Sequence, residues 1–156
     1  MPIVLLLLVA LLLVTLVVHR RRRIPHLPPA AGDWSSINGL DPRTAMAAMM
    51  YAVAVEDGPL TTEKGQQILS LLTTTVGLSP EVAHQCLTGG RNLARRLEGD
   101  LNSRLHQLRT PIERNCSQQQ KQDVIDMLRQ IAGRNAERVP AVRDALGRFA
   151  ASLLHG

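Results

Sequence analysis

The chain has 156 residues, a formal net charge of +5 and a pI near 10.2. Arg20 to Arg23 supply four of the basic residues, and the remaining 14 Lys and Arg nearly balance 13 Asp and Glu. With Trp34, Tyr51 and Phe149 as the only aromatic residues there is no base-stacking platform, and the near-neutral remainder excludes a nucleic-acid binder.

Ile3 to Val18 is apolar apart from Thr15, and His19 with Arg20, Arg21, Arg22 and Arg23 follows at once. As a helix this run covers about 24 Å, near the lower limit for crossing a bilayer core. Its charge follows the apolar stretch, whereas a cleaved signal peptide carries positive charge before it. Residues 1–23 therefore read as a single transmembrane helix with an arginine cluster, anchored in membrane lipids. The positive flank stays on the cytoplasmic side, so the expected placement is the inner (cytoplasmic) membrane with the N-terminus out and the domain in the cytoplasm. Residues 24–40, with Pro25, Pro28, Pro29 and Gly32, read as an extended linker. Trp34 within it is expected to dock on the domain rather than lie at the bilayer interface.

From residue 41 to 156 the pattern is all-α. Asp41-Pro42 opens a first helix to about Val55, with Met46, Met49, Met50 and Val53 as its apolar stripe. Glu56-Asp57-Gly58 closes it. Thr61 and Glu63 open a second, carrying Ile68, Leu69, Leu72 and Val76, and Gly77 ends that one. Ser79-Pro80-Glu81 starts a third helix, expected to stop near Leu87 ahead of Gly89-Gly90. A fourth is expected from Arg91 to about Leu108, with Leu93, Leu97, Leu101, Leu105 and Leu108 on one face and Arg91, Arg95, Arg96, Arg104 and Arg109 on the other. Gly99 is its weak point. Ser117 and Gln120 form a capping box ahead of Val124, Met127, Leu128 and Ile131. A last helix begins near Pro140 and buries Val142, Leu146, Phe149 and Leu153.

The two cysteines, Cys86 and Cys116, lie thirty residues apart with no second pair at zinc-site spacing, so they read as reduced thiols. Glu56, Asp57 and Glu63 concentrate carboxylates at one corner. An EF-hand loop placed on Gly58 would need oxygen ligands where Val53 and Val55 stand and a glutamate where Lys64 stands, so that motif fails. A looser oxygen site for a divalent metal ion at Glu56, Asp57 and Glu63 stays open beside its plainer reading as a helix junction. No GxSxG, HExxH or phosphate-binding glycine loop occurs, and an enzyme is not expected.

Ala52-Val53-Ala54-Val55-Glu56-Asp57-Gly58, then Leu60, Glu63, Ile68 and Leu72, then Gly77-Leu78-Ser79-Pro80-Glu81, resembles the TerB-like helical domain named for tellurite resistance. The resemblance implies an all-helical bundle of two related helix pairs, the second spanning Gln118 to Leu154. An apolar segment ahead of such a domain also resembles the front part of the membrane co-chaperone DjlA, although no His-Pro-Asp tripeptide of a J domain is present. In the second half Gly133-Arg134-Asn135 replaces the acidic turn and Pro140 replaces the following glutamate, so a two-sided acidic metal surface is not expected. The combined reading is a membrane-anchored, cytoplasm-facing TerB-like helical adaptor in an envelope or stress response, with a protein partner. Its interaction corner would be Glu56, Asp57 and Glu63, and Arg20 to Arg23 with Arg91, Arg95 and Arg96 would face partner or lipid. The alternative is a sensor that responds to a divalent metal at the acidic turn.

Overall fold

Capping side chains start most of the helices. In the computed structural model, which describes residues 40–133, 136 and 139–155, these are α1 (Pro42–Ala54), α2 (Thr62–Thr74), α3 (Pro80–Ala94), α4 (Leu101–Gln107), α5 (Arg109–Asn115), α6 (Gln118–Ala132) and α7 (Pro140–His155). Asp41, Thr61, Ser79, Asp100 and Ser117 each accept a hydrogen bond from a backbone N–H in the first turn that follows. Each satisfies a donor that the helix itself leaves unpaired. The Ser117–Gln120 capping box forms as the sequence predicts. Among the described residues there are seven helices and no strand, and no helix is long and apolar enough to cross a membrane. The expected transmembrane segment, Arg20 to Arg23 and Trp34 lie outside the described residues.

Helix α1 is the axis of the domain. After Arg43 it has no charged side chain, and all of its 13 residues are buried. A helix apolar on every side is stable only with neighbours on every side. It packs most extensively on α3 and also meets α2, α4, α5 and α6. Its alanines let those neighbours approach, and Met46, Met49 and Met50 fill the irregular space between them. The closest approach is at Gly90 of α3, where a Cβ would stand 2.6 Å from the Ala48 nitrogen and 2.8 Å from the Ala47 carbonyl carbon.

That contact explains the first departure from the sequence reading. Gly89-Gly90 does not end α3, which continues to Ala94. Glycine weakens a helix by about 1 kcal/mol, but here it permits burial of a whole helix face, and packing outweighs propensity. The second departure follows from it. Arg91 to Leu108 is not one helix, because α3 ends at Ala94 and Gly99 takes φ +96, which turns the chain before Asp100 caps α4. A further helix, α5, then contains Pro111, tolerated in the first turn where no intrahelical donor is needed.

The other stripes fall as expected. Ile68, Leu72 and Val76, the α6 residues Val124, Met127, Leu128 and Ile131, and the α7 residues Val142, Leu146, Phe149 and Leu153 are all buried, and Leu69 is half-buried. At roughly 1.5–3 kcal/mol for each large side chain removed from water, these stripes hold α6 and α7 together, and α6 against α1.

Candidate functional site

The acidic turn between α1 and α2 is neutralised by cations from elsewhere in the domain. The Arg104 Nη2 of α4 donates to Glu56 Oε2 at 2.6 Å, across 48 residues of sequence. Lys64 Nζ, in the first turn of α2, donates to Asp57 Oδ1 at 2.7 Å and to the Ala54 carbonyl at 2.9 Å. The lysine thus satisfies a carbonyl at the α1 C-terminus, where positive charge is favoured. Glu63 stands exposed on the first turn of α2. Among the described residues no group of three His, Cys, Asp or Glu side chains is placed to hold a metal ion. A cation bound by Glu56, Asp57 and Glu63 would have to displace Arg104 and Lys64.

The predicted arginine stripe is divided in the same way. Arg104 belongs to the acidic corner, while Arg109 pairs with Glu113 at 2.9 Å and also donates to the Ser152 hydroxyl of α7. Both hold helices together. Arg91, Arg95 and Arg96 are different. They stand exposed at the C-terminal end of α3, where cations complement the helix dipole, and none is in an ion pair with a described residue.

Beside them runs a hollow of about 530 Å³. The described residues that line it are His84, Gln85, Thr88, Gly89, Asn92, Leu93 and Arg96. All belong to α3 or its first turn beyond. Their spacing of three to five residues makes one continuous strip along the helix, about 18 Å long at 1.5 Å per residue. The opposite face of α3, with Ala83, Cys86, Gly90 and Ala94, is buried. Consecutive residues thus serve opposite ends: Gly90 admits α1, and Gly89 opens the outer strip. The chemistry of that strip is an imidazole, amide and hydroxyl groups over a small apolar floor, with a guanidinium at its end.

At the N-terminal end of the same helix pair, Arg43 and Asp41 form a buried ion pair, their side chains 6% and 8% exposed. The guanidinium Nε bonds both carboxylate oxygens at 3.0 Å while Asp41 also caps α1 through the Arg43 N–H. That hydrogen bond holds Arg43 firmly in its charged form. Both cysteines are free. Burial pushes the Cys86 thiol above its ordinary value, partly offset by a hydrogen bond with Thr44. Burial also pushes Cys116 up to about 11. Neither is a ready nucleophile.

Sequence reasoning identified the acids and the exposed arginines but missed Lys64 and Arg104 as the partners of the acids. It also missed the outer strip of α3, for which the spacing of His84, Thr88, Asn92 and Arg96 at i, i+4, i+8 and i+12 was the available signal. No curated protein and no solved structure is similar enough to the chain to count as a match. The family model described as tellurite resistance protein TerB matches residues 43–150, from the first turn of α1 into α7. This span includes the acidic turn, both faces of α3, α6 and most of α7, and the chain belongs to the TerB family.

Proposed function

We propose that the chain is a membrane-tethered TerB-family binding module, non-catalytic, that docks a protein partner on the outer face of α3 as an adaptor in an envelope or stress response. Residues 1–23 tether it to the inner membrane and leave the helical domain in the cytoplasm. The observation that carries the docking surface is the contrast among charges. Glu56, Asp57, Arg104 and Arg109 are engaged within the domain, whereas Arg91, Arg95 and Arg96 stand exposed beside the α3 hollow. Three exposed guanidinium groups next to an amide-lined strip favour an acidic partner surface, where arginine forms bidentate, charge-assisted bonds.

The test is purification of the full-length protein from native membranes beside an Arg91→Glu, Arg95→Glu, Arg96→Glu variant, with mass spectrometry of what accompanies each. A defined protein present with the wild type and absent from the folded variant supports the reading. The same proteins in both preparations would move the docking surface elsewhere. Recovery of the wild type in the soluble fraction would overturn the tether.

A further inference from the structure

The outer strip of α3 reads the same from both ends. His84, Gln85, Thr88, Gly89, Asn92 and Leu93 line the hollow, and about a midpoint between Thr88 and Gly89 the position of His84 mirrors Leu93 while that of Gln85 mirrors Asn92. The next turn outward continues the pattern with opposite charges. Glu81, exposed in the first turn of the helix, mirrors Arg96, exposed just past its end. At 3.6 residues per turn both fall on the same side as Gln85, Thr88 and Asn92. Neither is in an ion pair with a described residue. They are about 22 Å apart along the axis, too far to meet within one chain.

A strip with this symmetry is complementary to itself. Two copies of α3 laid antiparallel about a two-fold axis set each Glu81 against Arg96 of the other copy, each Gln85 against Asn92 and each Thr88 against Gly89. The carboxylate accepts from the guanidinium, each amide both donates and accepts, and glycine beside the axis lets the backbones approach. His84 comes to lie over the half-buried Leu93 of the other copy. Parallel pairing would instead oppose Glu81 to Glu81 and Arg96 to Arg96, which like charge disfavours. The hollow itself calls for such a partner. A helix is convex, and the described residues lining the 530 Å³ space lie along one helix, so a second surface is needed to close it.

We propose that the outer face of α3 docks a second copy of this chain, α3 against α3 in antiparallel, with Glu81 of each copy paired to Arg96 of the other. The inference rests on that face being the docking surface and names its partner. One helix pair is a small interface, and two copies tethered in one bilayer meet at a raised effective concentration that offsets this. Arg91 and Arg95 lie beside the paired strip rather than in it.

Disulfide cross-linking of the full-length protein in native membranes tests the pairing. A cysteine at position 88 stands next to the two-fold axis, whereas the native Cys86 is buried and Cys116 half-buried. Under mild oxidation Thr88→Cys is expected to give several-fold more disulfide-linked dimer than Ser70→Cys, which is exposed on α2. Adding Glu81→Arg or Arg96→Glu to Thr88→Cys should lower the dimer several-fold. Adding both should restore it, because the exchanged charges meet again only across two copies. Should Thr88→Cys fold poorly, Gln85→Cys combined with Asn92→Cys provides the same readout. Equal cross-linking at positions 88 and 70 overturns the proposal, and so does a dimer that ignores the single reversals or is not restored by the pair. A monomeric wild type that captures a different protein through Arg91, Arg95 and Arg96 overturns the second copy as occupant while the docking surface stands. A charge-restored dimer supports the proposal even where no other protein is captured.

Discussion

The two faces of α3 follow opposite rules. The inner face is built from its smallest residues, Ala83, Cys86, Gly90 and Ala94, and admits α1 almost to backbone contact. The outer face carries His84, Gln85, Thr88, Asn92 and Arg96, all exposed. The difference teaches that one helix can fix the fold with one side and present chemistry with the other, so sequence changes one residue apart should differ sharply in effect.

The largest effect is expected on the inner face. Gly90→Val places branched carbon where even a Cβ would be 2.6 Å from the Ala48 nitrogen, and it should cost about 3 kcal/mol or more in urea unfolding. The same comparison is sharpened by Gly147→Ala in α7, where a Cβ meets nothing within 4 Å and helix propensity should gain about 1 kcal/mol. A Gly90→Val variant as stable as wild type would show that α1 and α3 do not approach this closely.

The thiols come next. With Cys116 at about 11, its thiolate at pH 8 is about a hundredfold scarcer than that of an ordinary thiol, and iodoacetamide should label the folded protein correspondingly slowly. The raised value also has a sign for stability. A thiol whose folded pKa exceeds its unfolded one contributes stability below about pH 9, and that contribution is lost as pH rises towards about 11. The urea midpoint should therefore fall over that interval, and by less in Cys116→Ala. Rapid labelling of native protein at pH 8 would contradict the burial.

A smaller loss is expected at the acidic corner. Glu56→Gln removes the charge facing Arg104 in a pair about a fifth exposed, and should cost about 1 kcal/mol, with a double-mutant cycle against Arg104→Ala isolating the coupling. Smallest of all is the outer face. Replacing Arg91, Arg95 and Arg96 together by alanine should leave stability within about 0.5 kcal/mol while abolishing the proposed docking, as read by unfolding and co-purification on the same preparation.

Much of this architecture is written locally. Asp41-Pro42, Thr61, Ser79-Pro80 and the Ser117–Gln120 box mark helix starts because caps act over three residues, and the α6 and α7 stripes mark their buried faces because helical spacing is local too. The site was less legible. Glu56 reads as a free acid until a partner 48 residues away is brought to it, and Lys64 gives no sign in sequence that it will reach the Ala54 carbonyl. Gly89-Gly90 reads as an interruption because propensity is local while the demand for a small residue comes from α1. The turn at Gly99 and the short α5 with its proline were hidden for the same reason, since tertiary contacts decide where the leucine repeat bends.

The all-round burial of α1 also sets a problem of timing. This helix leaves the ribosome first in the domain, yet α6, one of the helices that cover it, ends about 80 residues later. At synthesis rates of about 5–20 residues per second, an apolar helix waits roughly 4 to 16 seconds for its full set of neighbours. The nascent chain is therefore expected to be most vulnerable to aggregation in that interval, and a ribosome stalled before α6 should yield a protease-sensitive chain that only completion rescues.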